Sequence, residues 1–538
     1  MNGRRRGDGD RLTERLSARL QELSWFDRAL RRARSKAFPD HWSLLFGQVA
    51  VYSFIIVTVT GIFLMFFYDA STTLVRYDGS FTPLHGVEMS RALESTLQIS
   101  FDVRGGLLVR QLHNWSASLM IAALMAHILR IFFTGGFRKP RKLRWLVLFG
   151  ILFLSWGAGL TGAVLPDDLL SGSTLAVLDG VLKAIPIIGT WASYLVFSGE
   201  FPSGAIALFY PLHILLLPLA IAGAMLLNGL LAMVNGPEQF PGPGRKETNI
   251  VGRPLTVAAV KGGGLFFLVA GLLTAIAAGV TVNPVWAYGP ADPGNASAGA
   301  GALWYVAFLD GAQRLTPPGW ELVWLDRTWT LAILVPVGLV GLYLLAAALY
   351  PFLEAWVTGD RRSHHLLDRP RNAPARTAIG AAGVTVYGVL WAAAGSDVIA
   401  MRFGLSVESV VLALQVTLLL GPLIAYVGTK RTCLALQKKD RAIVMHGVET
   451  GRIVRLPGGG YAEKHTPVDV HRRPELVDYE APAPLVLRPD GDGRIRFRNR
   501  VRAVMSRWLY ADRVPPVRAG ELEAAPASEQ EKVEAGRP

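Results

Sequence analysis

The sequence predicts an all-α integral membrane protein with eight transmembrane helices, and three observations lead there. Residues 44–67, 111–133, 145–165, 205–234, 262–280, 329–350, 378–394 and 408–428 are long, apolar and nearly free of charge. A hydrocarbon core is crossed by roughly 20 such residues in a helix, so each stretch suffices for one span. The connections between them alternate in charge, as topology signals do. The third observation is a negative one: residues 175–197 are also apolar, but Pro186 and Gly189 interrupt them. We read that stretch as short surface helices, which keeps the number of spans even.

Taken in order, residues 1–40 form a basic amphipathic arm with Arg4, Arg5, Arg6, Arg31, Arg32 and Arg34. No cleavable leader is expected, because the first apolar run begins after residue 41 and is long enough to span. The second-to-third connection, TGGFRKPRKLR, has five basic residues and no acid, and the connections 235–261 and 357–377 are basic too. Residues 68–108 instead carry Asp69, Asp78, Glu88, Glu94 and Asp102. The positive-inside rule therefore places both termini in the cytoplasm. The chain carries 55 Lys and Arg against 41 Asp and Glu, a net +14. That excess reads as topology signal and contact with lipid headgroups, and no nucleic-acid partner is expected. The connection 281–328 holds more prolines, tryptophans and acids than a plain loop needs, and long ordered loops tend to carry function. Residues 431–538 read as a polar cytoplasmic tail, partly disordered, whose last stretch is EAAPASEQEKVEAGRP. A single cysteine, Cys433, excludes CxxC metal sites and covalent haem attachment through CxxCH.

Three of ten histidines fall in the spans: His113, His127 and His213. His113 and His127 are fourteen residues apart on one helix. Fourteen steps return to within about 40° of one face and rise roughly 21 Å. Two ligands so placed suit two stacked cofactors and no single one, and ionisable residues inside spans are usually functional. Either histidine alone is equally well explained by a hydrogen bond between helices; the pair favours haem. Arg110 precedes the first by three and Arg130 follows the second by three, where haem propionates need positive partners. Gly47 and Gly61 repeat the fourteen-residue interval on the first helix. They read either as seats for a flat macrocycle or as ordinary small-residue packing.

The segments FPDHWSLLFGQ, VRGGLLVRQLH, HILRIFFTGGFRKPR, LPDDLLSG, LHILLLP, EQFPGPGRKETNIVG, HHLLDRPRNAPARTAIGA and ALQKKDRAIVMHGVETG are long and specific. Through them the chain resembles, over roughly residues 25–480, the cytochrome b subunit of actinobacterial-type cytochrome bc complexes, the menaquinol–cytochrome c reductases. The resemblance implies a four-helix haem-binding core within an N-terminal domain, 41–235, followed by a C-terminal domain, 236–430. It implies b haems carrying electrons from membrane quinol, with menaquinol as substrate. His113 and His213 would be axial ligands of an outer haem, and His127 a ligand of an inner one. Arg110 and Arg130 match propionate anchors, and Gly47, Gly61 and Gly162 match the close approaches to the macrocycles. The implied partners are a Rieske iron–sulphur subunit, a cytochrome c subunit and a terminal oxidase, in a dimeric complex of the plasma membrane.

Three positions depart from the family pattern. Aligning LLLP and QFPGPG without gaps puts the inner haem's second histidine at Asn228, and a neutral amide is a poor ligand for haem iron. Met225 lies nearby but about 60° round the helix. Fourteen residues before Gly162, where a second glycine is expected, stands Leu148. The quinol-site motif, Pro-Glu-Trp-Tyr or Pro-Asp-Phe-Tyr in the family, is here Ala302, Leu303, Trp304 and Tyr305. The acid that accepts a quinol proton is Leu303, and Asp310 falls seven residues on. The facing segment, Pro166, Asp167 and Asp168, is intact. Two haems, a paralogue with the outer haem alone and reduced or no quinol oxidation, or a non-redox membrane scaffold all remain open at the level of sequence.

Overall fold

Four helices in two pairs set the architecture. The computed structural model describes residues 37–199, 204–292, 301 and 303–469, with 476, 483–486, 496–510, 512–515 and 517 of the tail. Most of the basic arm and the whole of EAAPASEQEKVEAGRP lie outside the described residues, as does Ala302. Helix α1 (Leu45–Met65) packs along α3 (Gly106–Thr134), with the short α2 (Arg91–Phe101) leading into α3. Helix α4 (Lys142–Val164) packs along α7 (Ala205–Asn235). Between α4 and α7 run α5 (Leu169–Ala184) and α6 (Gly189–Phe197), both too short to be spans. They are the short surface helices expected from Pro186 and Gly189.

The second half adds α8 (Leu255–Gly279), α9 (Ala307–Arg314), α10 (Leu331–Thr358), α11 (Pro374–Ala393), α12 (Ser396–Phe403) and α13 (Val407–His446). Among the described residues seven helices are long and apolar enough to cross a membrane. The expected span 378–394 falls on α11, which makes an eighth crossing only together with α12, the two bent by 67° where Ala394 and Gly395 break the helix. Leu419, Ile424, Phe267, Leu268, Leu339 and Leu342 all point outward and are exposed. Such outward apolar surface is stable only against lipid.

Connections gather at two opposite ends. At one end Arg141 donates to the Pro237 carbonyl at 2.9 Å, and the backbones of Gln239 and Leu367 meet at 2.8 Å. Arg376 joins there, held by Asp368 at 2.5 Å and Glu354 at 3.2 Å. At the other end Gln111 exchanges hydrogen bonds with Val282, at 3.0 and 2.7 Å, and the Leu169 N–H donates to the Gly289 carbonyl at 3.0 Å. The second-to-third, fourth-to-fifth and sixth-to-seventh connections thus share one end. The acidic first connection joins the other through Tyr68, whose hydroxyl donates to the Leu165 carbonyl at 2.6 Å.

The tail is more structured than its composition suggests. Helix α13 continues to His446, well past the expected end at 428, and a hairpin of Val448–Arg455 with Tyr461–Thr466 follows. A last helix, α14 (Phe497–Tyr510), returns to pack on α10 and α11, with Trp508 stacked on Tyr426 at 5.7 Å.

Helix α9 lies so close to α11 that a Cβ on Gly311 would collide with the Leu390 carbonyl. Backbone cannot yield there as a side chain would. Gly311→Ala should therefore destabilise the protein by about 1–3 kcal/mol, read as a lower thermal unfolding midpoint in detergent.

Candidate functional site

The two helix pairs stand apart at the end where α2 and α9 lie, and a cavity of about 450 Å³ opens between them. His113 on α3 and His213 on α7 face one another across it, ring centroids 6.2 Å apart. Two imidazoles each holding one metal through a nitrogen about 2 Å away place their centroids roughly 6 Å apart. The rings are thus spaced to share one iron.

Each ring is held by its rear nitrogen. His113 Nδ1 lies 3.1 Å from the Thr60 hydroxyl, which itself donates to the Ile56 carbonyl. His213 Nδ1 lies 2.9 Å from the Ala158 carbonyl and 3.3 Å from the Thr161 hydroxyl. A carbonyl can only accept, so the His213 proton sits on Nδ1 and Nε2 keeps its lone pair for a ligand. Gly61 and Gly162 follow the two threonines. A Cβ on Gly61 would come within 3.1 Å of the His113 ring, and one on Gly162 would collide with the His213 ring. Sequence reading found the glycines and missed the threonines, although the dipeptide Thr-Gly stands once in α1 and once in α4.

His213 reaches its position through a local departure from the α-helix. Leu212–Leu216 is a π-turn, closed by the Leu217 N–H on the Leu212 carbonyl. Pro218 supplies the cause: its ring would clash with the carbonyl four residues back and it has no N–H to donate. The wider turn removes that conflict, and such turns recur at functional sites. The LLLP of the sequence was the visible signal.

Arg110 completes this end. Its Nη2 donates to the Asn283 carbonyl at 2.7 Å, while Nη1 is buried without a hydrogen-bond partner on the cavity wall. An orphaned guanidinium donor beside two ligand-spaced histidines fits the carboxylate side chain of a haem. The residues at this end therefore suit one b-type haem with two histidine ligands.

The same cavity extends to Leu303, Trp304, Tyr305 and Pro166. Tyr305 is buried, its hydroxyl pressed against Gly159 of α4, and burial pushes that phenol above its ordinary value. Leu303 packs into the main core, and the Trp304 carbonyl accepts from the Trp391 indole at 3.0 Å. Of the two neighbouring acids, it is Asp168 and not the expected Asp167 that reaches the wall. The chain turns at Asp167 through a positive φ of 54°, which aims the two side chains apart. Asp168 caps α5, its Oδ1 accepting from the Ser171 N–H at 2.9 Å and hydroxyl at 2.5 Å. Burial raises its carboxyl above the usual aspartate value despite those bonds. Asp310 is paired with Arg314 at 2.9 Å and does not line the cavity.

At the opposite end the arrangement is incomplete. His127 rests on Gly47, 3.1 Å from an added Cβ, much as His113 rests on Gly61. Its Nδ1 is buried without a hydrogen-bond partner, since Phe46 precedes Gly47 where Thr60 precedes Gly61. Asn228 accepts a hydrogen bond from Arg144 Nε at 3.3 Å. Leu148 is buried in the main core, and Met225 packs against that core. Arg130 is ion-paired with Glu238, both buried. Beyond His213, α7 carries no second histidine, so this end does not fit a haem held by one histidine from α3 and one from α7.

Residues 118–290 match the family described as "Cytochrome b(N-terminal)/b6/petB". The "Cytochrome bc1 complex cytochrome b subunit" of Streptomyces coelicolor is 44% identical over 484 residues, covering 89% of each chain. The protein of the same description from Mycobacterium leprae is 44% identical over 462 residues, 85% of this chain and 83% of that one. The one from Corynebacterium efficiens is 40% identical over 455 residues, 84% of each. In fold, the chain matches one from a solved "Hyperthermophilic respiratory Complex III" with a TM-score of 0.54 at 18% identity, covering 75% of this chain and 99% of that one. The relatives match over more than four-fifths of their own length and of this one, so this chain belongs to the cytochrome b subunits of cytochrome bc1 complexes, a family of membrane-embedded haem b proteins.

Proposed function

We propose that this chain is the cytochrome b subunit of a respiratory menaquinol–cytochrome c oxidoreductase and that it works with a single b haem, at the outer position. The observation that carries this reading is the contrast between the two ends. His113 and His213 are 6.2 Å apart with threonine hydroxyls behind them. His127 on α3 has no histidine counterpart on α7, where Asn228 stands fifteen residues after His213. A b haem, when bound, takes up and passes on one electron. The chain's own residues orient the imidazoles, hold a carboxylate at Arg110 Nη1 and keep water from the pocket.

Quinol would enter the same cavity beside Tyr305 and Leu303. With leucine in the place of the expected acid, Asp168 is the one carboxylate on the wall among the described residues. It is the acceptor we assign to the quinol proton, in a general-base role. A Rieske iron–sulphur subunit and a cytochrome c subunit are the partners this role requires, in a dimeric assembly with a terminal oxidase in the plasma membrane. Both termini are placed in the cytoplasm, a reading supported by the gathering of the basic connections at one end.

Purified protein should carry one b haem per chain by pyridine haemochrome assay. His113→Ala or His213→Ala should abolish it, and His127→Ala should leave it unchanged. Two haems in the unaltered protein would sink the single-haem reading. The pH profile of quinol oxidation tests the acid separately. A base must be deprotonated to act, so the rate should fall as pH drops through the raised Asp168 value, above the ordinary 3.8. Asp168→Asn should slow oxidation by roughly 10²-fold and flatten that limb while haem content stays the same.

A further inference from the structure

The inner end is not simply short of a ligand; the arginine that would anchor a haem propionate there is already paired within the chain. Arg130 stands three residues after His127, where a propionate anchor is expected. Its Nη1 instead meets the Glu238 carboxylate in a direct ion pair, with both side chains nine-tenths or more buried. Arg141 approaches the same carboxylate at 3.9 Å and is anchored on the Gly236 and Pro237 carbonyls at 3.2 and 2.9 Å. Arg144 binds Asn228, the residue standing where the second histidine would be. Leu148, one turn further along α4 from Arg144, is buried in the core against which Met225 packs.

We infer that Glu238 serves as a built-in substitute for a haem propionate at the inner position, and that its pairing with Arg130 keeps that position closed to haem. This inference rests on the single-haem reading and deepens it. A buried guanidinium needs an anion close by, because an unpaired charge in low dielectric is far costlier than a paired one. With a haem present the anion comes from the cofactor; here it comes from the chain. A propionate arriving at Arg130 would meet a carboxylate already in place, and two like charges at that distance repel strongly. The pairing is also secure against protonation. Burial pushes the Glu238 carboxyl up, but the charges of Arg130, Arg141 and Arg144 outweigh it and hold it below the ordinary glutamate value. Arg130 keeps Nε and Nη2, and Arg141 its Nε, without hydrogen-bond partners. Those donors would receive a propionate once Glu238 lost its charge. The outer end offers the comparison: Arg110 also has a free donor, but no carboxylate bonds to it.

The consequence is that restoring the missing ligand alone does not restore the site. The test compares three forms of the full-length protein, expressed with haem supplied and purified in detergent. Unaltered protein should contain one haem b per chain. Asn228→His with Leu148→Gly should still contain one, because Glu238 remains. Adding Glu238→Gln to those two changes should raise the content to two, with a second low-spin b band in the reduced-minus-oxidised spectrum. The outer haem reports folding in every form. A second haem in the double variant with Glu238 intact overturns the inference, as does a triple variant that keeps its outer haem and gains no other. Two haems in the unaltered protein would instead overturn the single-haem reading on which the inference stands.

Discussion

The outer end of this protein depends on the distance between two imidazoles. A membrane interior supplies no water to satisfy a polar side chain, so each buried histidine must find its partners within the protein. His113 and His213 find them behind, in Thr60, Thr161 and the Ala158 carbonyl, and face one another in front. That front is a gap, because α1 with α3 and α4 with α7 pack as two separate pairs. Gly61 and Gly162 bring the backbones of α1 and α4 close to the rings, and the π-turn before Pro218 rotates His213 into line. Change the separation and the threonines, the glycines and the Arg110 donor lose their common purpose.

Against that frame the inner end shows how a site closes. One histidine sits correctly on its glycine, so the helix carries the geometry without the chemistry. Three further residues remove what the geometry would serve. Asn228 gives no ligand, Leu148 fills space, and Glu238 answers the charge of Arg130. Without an anion Arg130 would be a buried, uncompensated charge, at a cost of several kcal/mol, and the Glu238 carboxylate supplies that anion.

Much of this was legible in sequence, and what was missed has physical reasons. Eight apolar runs mark eight spans because hydropathy reports the lipid directly. The histidine pair on α3 is visible because fourteen residues is nearly four whole turns of one helix. His213 was assigned only through the family resemblance, and the two threonines were missed, because they stand on other helices and a distance between helices is not encoded in any local interval. Glu238 was passed over within EQFPGPG because nothing in its neighbourhood names Arg130, 108 residues earlier. Asp167 and Asp168 are adjacent and alike in sequence, and only the positive φ at Asp167 decides which reaches the cavity. The structured tail was missed because its hairpin and α14 lie in a polar, charge-rich stretch where composition predicts little order.

The asymmetry of the two ends constrains what the chain can do with two electrons. Quinol gives up a pair, and a bc1-type reaction divides them between two routes. One route leaves the membrane at the outer face, beside the cavity that holds Tyr305, Leu303 and Asp168. The other must cross toward Arg130, a rise of roughly 21 Å along α3 between the two histidine levels. A second haem at His127 would divide that crossing into steps. Without it the inward electron has one long passage through packed Ile121, Leu124 and Ile128. Under the single-haem reading, an electron held at the His113 and His213 level would therefore face a much longer inward step than a second haem would give it. The outer cavity thus gathers two histidines, an arginine and an acid, while the inner end is filled by packing and ion pairs.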